Sequence, residues 1–332
     1  MRLYVIAAVA LMFALKIGCH NKEMRNSVMQ KYSSSVPRCM GRNIIYLPDV
    51  FLAADVVDGY FKPVLIDENI SSFDVVVKGN GIAPTEFAKY VSRRRAELKD
   101  NSSATSDVLR LENKLSDVAT LFRIQRVEDA YISEINSLLS GSIVTIKIKS
   151  YENTFIDAET RLSKFISNIV AADQKEFNGF CLGTLSISGD FSQESGSYYW
   201  RDDAGNTFAI EIDTFNSEDP KNLLQRMAGP DSLLSLFNIG HTVLRSRERT
   251  VAGMRAYEWL GWTNLGADGD KKTFKFVLET TRPQGGRTTP RITVTFDSAK
   301  QRDDGTETTT NLSDAEAMAL WDKVVNSIQP AK

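Results

Sequence analysis

The chain has 332 residues, of which 42% are hydrophobic and 25% are charged, and its formal net charge is −2. This composition excludes a disordered chain and a polytopic membrane protein, and the length predicts about two globular domains. Because nucleic-acid-binding domains are strongly basic, the charge also argues against a nucleic acid as the partner.

The N-terminus is typical of a secretory signal peptide. Arg2 is followed by an apolar run over residues 3–15, which is too short to span a bilayer. Gly18-Cys19 ends this segment, as in a bacterial lipoprotein signal whose cysteine becomes the lipidated first residue, although Lys16 stands where an aliphatic residue is usual. We predict a signal peptide over residues 1–18, localisation in the periplasm, and a membrane tether through a lipid on Cys19. The alternative is a buried N-terminal helix.

The three cysteines bear on the compartment. If Cys19 carries a lipid, Cys39 and Cys181 remain as a pair in an oxidising space, where a disulfide between them can persist. Such a bond would join the beginnings of the two halves of the chain. The alternative is two small buried thiols, because the sequence does not establish the short Cα separation that a disulfide requires.

The first half alternates strand-like and helix-like segments. We predict strands over residues 41–47, 56–66, 73–78, 119–126 and 143–149, and a helix over residues 84–99. A second helix is predicted over residues 157–173, where one apolar stripe recurs at helical spacing: Leu162, Phe165, Ile166, Ile169 and Val170. A polar segment then marks a domain boundary between residues 174 and 175.

The second half is richer in strand-like segments. We predict strands near residues 183–187, 208–212, 242–250, 253–262, 272–280 and 291–296, and a short helix over residues 223–228. Ser313 and Glu316 have the spacing of a capping box, in which each side chain accepts a backbone N–H of the first helical turn. The sequence therefore ends in an amphipathic helix that begins after Ser313.

The two halves resemble each other in plan. Each begins with Cys-x-Gly, at Cys39 and at Cys181, and each ends in a helix introduced by Asp-Ala-Glu, at residues 157–159 and 314–316. Matches this short also arise by chance. We predict an α+β fold of two related domains, over residues 19–174 and 175–330, each a mainly antiparallel sheet with packed helices.

The sequence contains no complete catalytic or metal-binding motif. Gly179-Phe-Cys181-Leu-Gly183 has the spacing of a nucleophile elbow, but the residues that follow predict a strand where the elbow requires a helix. His241 is the single histidine of the predicted globular body, and no C-x-x-C, H-E-x-x-H or Gly-rich phosphate loop occurs. We therefore predict a protein that is not an enzyme and that uses no metal or cofactor.

Aromatic and arginine residues supply the candidate contacts with a protein partner. Tyr198, Tyr199 and Trp200 are adjacent, and sheet packing is the ordinary interpretation of such a cluster, with exposed interface anchors as the alternative. Arg245 and Arg247 alternate with Arg249 along a predicted strand, so all three point to one side, towards either solvent or a partner. The basic run of residues 93–95 lies on a predicted helix and is interpreted as a solvated face.

Several segments together resemble a known family. Arg38-Cys-Met-Gly-Arg42 leading to Leu47-Pro-Asp49 is similar to the opening of the cognate immunity proteins of class-four type VI secretion lipase effectors, the Tli type. Residues 179–183, 196–200, 249–253 and 313–322 resemble the C-terminal domain of that family in order and spacing.

The resemblance implies a periplasmic, two-domain protein whose domains are arranged around a cleft. It further implies binding of a cognate α/β-hydrolase phospholipase effector and inhibition by blocking access to the effector's active site. Residues 175–330 would then form the immunity domain. The alternative is an envelope lipoprotein with a structural or ligand-binding role and no toxin partner.

Overall fold

A computed structural model describes most of the chain. The described residues are 30–54, 56–63, 72–100, 107–173, 177–215, 221–228, 241–265, 271–281, 286–298, 300–301, 307–308, 310 and 312–331. The predicted signal peptide, Cys19 and the predicted boundary at residues 174 and 175 lie outside them. Within the described residues, no helix is both long and apolar enough to cross a membrane.

The described part of the chain contains 21 strands and four helices. The strands are β1 (Val36–Met40), β2 (Asn43–Leu47), β3 (Leu52–Ala53), β4 (Val56–Pro63), β5 (Phe73–Lys78), β6 (Val108–Ser116), β7 (Ala119–Val127), β8 (Ala130–Leu139), β9 (Ser142–Tyr151), β10 (Ile169–Ala171), β11 (Phe180–Leu182), β12 (Leu185–Ile187), β13 (Phe191–Arg201), β14 (Thr207–Asp213), β15 (His241–Val251), β16 (Met254–Leu265), β17 (Lys271–Thr280), β18 (Arg291–Asp297), β19 (Lys300–Gln301), β20 (Glu307–Thr308) and β21 (Gln329–Pro330). The helices are α1 (Pro84–Lys99), α2 (Phe155–Ile166), α3 (Leu223–Ala228) and α4 (Asp314–Val325).

One antiparallel sheet of 13 strands dominates the described residues. Its order is β15-β16-β17-β18-β14-β13-β4-β5-β9-β8-β7-β6, and β3 adds to β13. The pairing of β13 with β4 joins the two halves of the chain, for example at Gly196 opposite Gly59. The α+β class is thereby confirmed. The arrangement of two separate domains around a cleft is not confirmed, because strands of both halves share this sheet.

The larger hydrophobic core also crosses between the halves. Phe61 of β4 packs edge-on against Phe180 of β11 and Phe191 of β13, with ring centroids 5.2 Å apart in both pairs. At the other end of this core, Trp321 of α4 covers Phe208 and Phe276. Burial of apolar surface is the main stabilising contribution to folding, and here it holds both halves as one packed unit.

A smaller core lies under α1. Phe87, Val91 and Leu98 of this helix pack on Phe122, Ile124 and Ile143 of the sheet. The helix matches the predicted bounds of residues 84–99. Pro84 occupies its first position, where the missing N–H has no intrahelical partner to lose.

The predicted helix over residues 157–173 is wrong at its C-terminal end. Helix α2 ends at Ile166, and residues 169–171 form β10, which pairs with β12. The strand alternation leaves Ile169 buried and Val170 exposed. Asn168 accounts for the break: its N–H bonds to the carbonyl of Phe165, and its own carbonyl accepts the N–H of Ser188. After Ile166, the chain therefore pairs with β12 as a strand instead of continuing the helix.

The sequence similarity between the two Asp-Ala-Glu segments is not matched by equivalent structure. In α4 the segment occupies the first three helical positions, and Ser313 and Glu316 form the predicted capping box. In α2 the segment begins two residues into the helix, and Glu159 pairs with Arg123 instead. Only the segment at residues 314–316 marks the start of a helix.

Candidate functional site

The two Cys-x-Gly segments meet in space. Cys39 of β1 and Cys181 of β11 form a disulfide, with their Cα atoms 5.8 Å apart. Beside it, Gly41 and Cys181 exchange backbone hydrogen bonds of 3.1 and 2.7 Å. This junction, which we call the seam, ties the beginning of the described chain to the start of its second half. The elbow geometry considered for Cys181 is excluded, because its sulfur is bonded to Cys39 and the next residues form a strand.

Tyr198 is part of the seam. Its buried hydroxyl donates to the carbonyl of Cys181 at 2.5 Å and accepts the N–H of Gly41 at 2.6 Å. Burial raises the pKa of Tyr198, so the phenol stays neutral. A Cβ atom at Gly196 would lie 2.7 Å from this hydroxyl, which is why β13 has a glycine two residues earlier.

The adjacent aromatic residues divide between core and surface. Trp200 is buried and stacks on Tyr198 with an interplanar angle of 7°. Tyr199 points to the opposite side of β13 and is 40% exposed. Of the three predicted aromatic contacts, the structure therefore presents only Tyr199 to solvent, and sheet packing describes the other two.

A cavity of about 400 Å³ adjoins the seam. Strands β3, β4 and β5 contribute its apolar walls, and its other lining residues include Arg38, Asn80, Thr184, Tyr198, Tyr199 and Trp200. We call it the Arg38 pocket. Two of its lining residues, Leu52 and Tyr199, are exposed apolar side chains. An apolar, aromatic and arginine-containing surface of this kind is typical of protein interfaces.

Arg38 has no protein partner among the described residues. Its Nε atom is buried without a hydrogen bond, and burial lowers the pKa of the guanidinium with no acid to oppose that effect. None of the described residues that line the pocket is acidic. Buried polar groups are usually hydrogen-bonded, so this arginine is an exception that requires an explanation.

The predicted arginine stripe faces the protein itself. Arg247 and Arg249 each donate to the fully buried carboxylate of Glu258 at 2.7 Å, and Arg245 Nε lies 2.8 Å from the same group. Asp322 of α4 accepts two further hydrogen bonds from Arg245. The three arginines therefore dock α4 on the sheet, and Arg247, with 49% of its side chain exposed, is the member most open to a partner.

Glu258 is held in the charged form by this cluster. Burial acts to raise the pKa of Glu258, but hydrogen bonds from Arg249, Trp321 and Arg247 outweigh it and lower the pKa. Trp321 Nε1 donates to the carboxylate at 3.1 Å. A buried carboxylate with this many donors is a structural anchor, because every lone pair has a partner and no acid–base function is left for it.

The basic run of residues 93–95 is also only partly solvated. Arg93 is 71% exposed, whereas Arg94 forms a two-point contact of 2.9 and 2.8 Å with the buried Glu134, and Arg95 pairs with Glu112. The interpretation as a solvated face is therefore wrong for Arg94, whereas the pair of Arg95 with Glu112 is exposed to solvent. The sequence did not reveal these partners, since Glu134 lies 40 residues away on β8.

The described residues offer no metal-binding cluster. No group of three or more His, Cys, Asp or Glu side chains among them could hold a metal ion. His241 is exposed at the start of β15, with its ring 6.3 Å from that of Trp259. The Arg38 pocket and its apolar surroundings are the candidate binding surface.

Comparisons with known proteins agree with the resemblance found in the sequence. Residues 176–331 match the family model of the Tle cognate immunity protein 4 C-terminal domain. A comparison with curated protein sequences finds no match.

Solved structures share the fold over nearly the whole chain. The apo structure of the immunity protein TplEi of the T6SS from Pseudomonas aeruginosa has a TM-score of 0.63 at 19% identity and covers 90% of this chain and 97% of that one. The crystal structure of the Tle4-Tli4 complex includes a chain with a TM-score of 0.63 and 19% identity, covering 90% and 98%. TplEi complexed with "L" peptide has a TM-score of 0.61 at 20% identity and covers 90% and 99%.

Proposed function

We propose that this protein is a periplasmic immunity protein that binds a cognate type VI secretion phospholipase effector and blocks access to its active site. The observation that carries the proposal is the match of residues 176–331 to the immunity domain family. The similarity of this chain's fold to TplEi and to a chain of the Tle4-Tli4 complex supports the same role.

The surface described above suits an inhibitor. The disulfide and the core that crosses both halves make the region around the Arg38 pocket rigid, and a rigid surface loses little conformational entropy on binding. The proposal also accounts for a chain in which buried carboxylates such as Glu258 and Glu134 are saturated by arginines rather than arranged for acid–base chemistry.

The periplasmic location is part of the proposal. It is supported by the secretory character of residues 1–18 and by the Cys39–Cys181 disulfide, since disulfides persist in oxidising compartments. A lipid on Cys19 would hold the inhibitor at the membrane, where an incoming phospholipase finds its substrate.

The decisive experiment measures the effector's activity. The mature protein is mixed at equimolar ratio with a purified α/β-hydrolase effector, sought among the genes that neighbour its own, and hydrolysis of phospholipid vesicles is followed. We expect a stable complex and loss of hydrolysis, while an unrelated phospholipase stays active. Full hydrolysis without complex formation would contradict the immunity role and favour the alternative of an envelope lipoprotein with no toxin partner.

Location is tested separately. Membrane fractionation and mass spectrometry of the mature N-terminus are expected to show an acylated Cys19 in the membrane fraction. Cys19→Ser provides the matched control, which should be released in soluble form. An unmodified wild-type N-terminus at position 19 would remove the tether and leave a soluble periplasmic inhibitor, and a protein retained in the cytoplasm would contradict export.

A further inference from the structure

Among the described residues that line it, the Arg38 pocket contains one charged side chain and none of opposite charge. Arg38 is the only charged residue among the described residues that line it, and no ion pair or hydrogen bond of its guanidinium is found in the described part of the chain. Other arginines in the same region are paired: Arg42, four residues later, makes a two-point contact of 2.9 and 2.6 Å with the buried Glu194.

An unpaired guanidinium in such a place is costly to the isolated protein. Partial burial removes water from the charge, and the loss is compensated only when donors meet an acceptor. Carboxylates match the fork of guanidinium donors best and form charge-assisted hydrogen bonds of about twice the strength of neutral ones. The unmet requirement is therefore for an anionic, planar oxygen acceptor supplied from outside the chain.

We propose that the Arg38 pocket receives the side chain of an aspartate or glutamate on the surface of the lipase effector, with Arg38 as the residue that binds its carboxylate. This inference rests on the proposed function and names the partner's chemistry at one position. The pocket walls from β3, β4 and β5 would hold an apolar residue next to the acidic one.

The surroundings of the pocket favour a protein partner over a free small anion. Leu52 is 67% exposed and Tyr199 is 40% exposed, and both line the pocket beside Arg38, which leaves an exposed apolar margin. A protein segment would cover this margin while its carboxylate reaches Arg38. A central charged contact surrounded by apolar residues that exclude water is the arrangement of an interface hot spot.

The test compares three arginine variants in effector binding by titration calorimetry. Arg38→Gln is expected to weaken binding about 10- to 100-fold, because a hydrogen bond to a charged group contributes a factor of that size to affinity. Arg38→Lys keeps the charge and is expected to weaken binding less. Arg93→Gln removes the same charge from the exposed face of α1 and is expected to leave the affinity unchanged.

A stability measurement separates a binding residue from a structural one. Because Arg38 forms no ion pair among the described residues, Arg38→Gln should keep or slightly raise the midpoint of thermal unfolding. Arg42→Gln should lower the midpoint, because the buried Glu194 loses its two-point contact and is left with Arg287, 3.6 Å away. Wild-type affinity in a folded Arg38→Gln protein would overturn the pocket assignment and leave the proposed function standing. Absence of wild-type binding would overturn both.

Discussion

Arg247 and Glu258 lie directly opposite each other on β15 and β16, and Arg247 Nε donates to the carboxylate at 2.7 Å. Arg249 and Trp321 bind the same carboxylate from the flanking position and from α4. Removal of one partner from a buried charge network leaves the remaining charges uncompensated. We therefore expect Glu258→Gln to lower the free energy of unfolding by about 3 kcal/mol in urea denaturation. Glu248→Gln, at a half-exposed carboxylate paired with Arg255, should change it by less than about 1 kcal/mol.

The same carboxylates predict the pH dependence of stability. Arginine hydrogen bonds lower the pKa values of Glu258, Asp322 and Glu134 in the folded protein in spite of their burial. Groups with lowered pKa values stabilise the fold above their unfolded pKa, and this stabilisation is lost as pH falls through the folded value. We expect the free energy of unfolding to decrease steadily below about pH 5. The difference between wild type and Glu258→Gln should shrink over the same range, and a constant difference would contradict this account.

The disulfide should contribute strongly because it closes a long loop. Cys39 and Cys181 are 142 residues apart in sequence. Chain-entropy arguments and measured removals give about 2–5 kcal/mol for such a bond. We expect the Cys39→Ala/Cys181→Ala double variant to unfold at a lower temperature than wild type. Reducing agent should lower the wild-type midpoint to a similar extent and leave the double variant unchanged; an insensitive wild type would show that the bond does not stabilise the seam.

Neighbouring tyrosines on β13 provide a matched pair for testing the seam. The hydroxyl of Tyr198 bridges Gly41 and Cys181, whereas Tyr199 is on the exposed side of the strand. Tyr198→Phe should cost about 1–2 kcal/mol in the free energy of unfolding, because two buried backbone groups lose a hydrogen bond. Tyr199→Phe should be close to neutral. Equal effects in chemical denaturation would show that the buried bridge has no special role.

Exposed apolar residues beside the pocket are expected to matter for binding rather than for stability. Leu52 is 67% exposed on β3, which adds to β13 in the middle of the long sheet. Val127 is 63% exposed on β7, next to the edge strand β6. Leu52→Asp should weaken effector binding at least about tenfold by placing an unpaired charge in the interface. Val127→Asp has nearly the same exposure and should bind like wild type. If both variants bound normally in calorimetry, the interface would lie elsewhere.

Several elements were predictable because their information is local. The capping box at Ser313 and Glu316 and the Pro84 start of α1 depend on residues within one helical turn. The alternation in residues 143–149 likewise anticipated β9. By contrast, β8 carries the buried polar residues Ser133, Glu134, Asn136 and Ser137, so it lacks the alternation that announces a half-buried strand.

The candidate site shows the same division. The sequence placed an arginine stripe on one side of a strand and an aromatic cluster two positions after Gly196, but it left open whether these face a partner or the core. For the arginines, that choice depends on Glu258 of β16 and Asp322 of α4, which accept their hydrogen bonds in the folded protein. For Tyr198, it depends on the carbonyl of Cys181 in β11. Nothing in the local sequence distinguishes Arg38, because its lack of an ion pair among the described residues depends on which side chains surround it in the folded protein.

The sequence alone predicted the α+β class, the helix starts and about half of the strands, the resemblance to an immunity family and a signal peptide over residues 1–18, since each depends on local pattern or ordered motifs. The tertiary structure decided that both halves share one sheet through the pairing of β13 with β4. It also decided that α2 ends at Ile166 and that β10 follows as a strand paired with β12. It also decided that Arg245, Arg247 and Arg249 pair with acids of the protein and that Arg38 has no ion pair among the described residues. These outcomes depend on long-range pairing and burial, where residues more than a hundred positions apart decide whether a charge finds a partner.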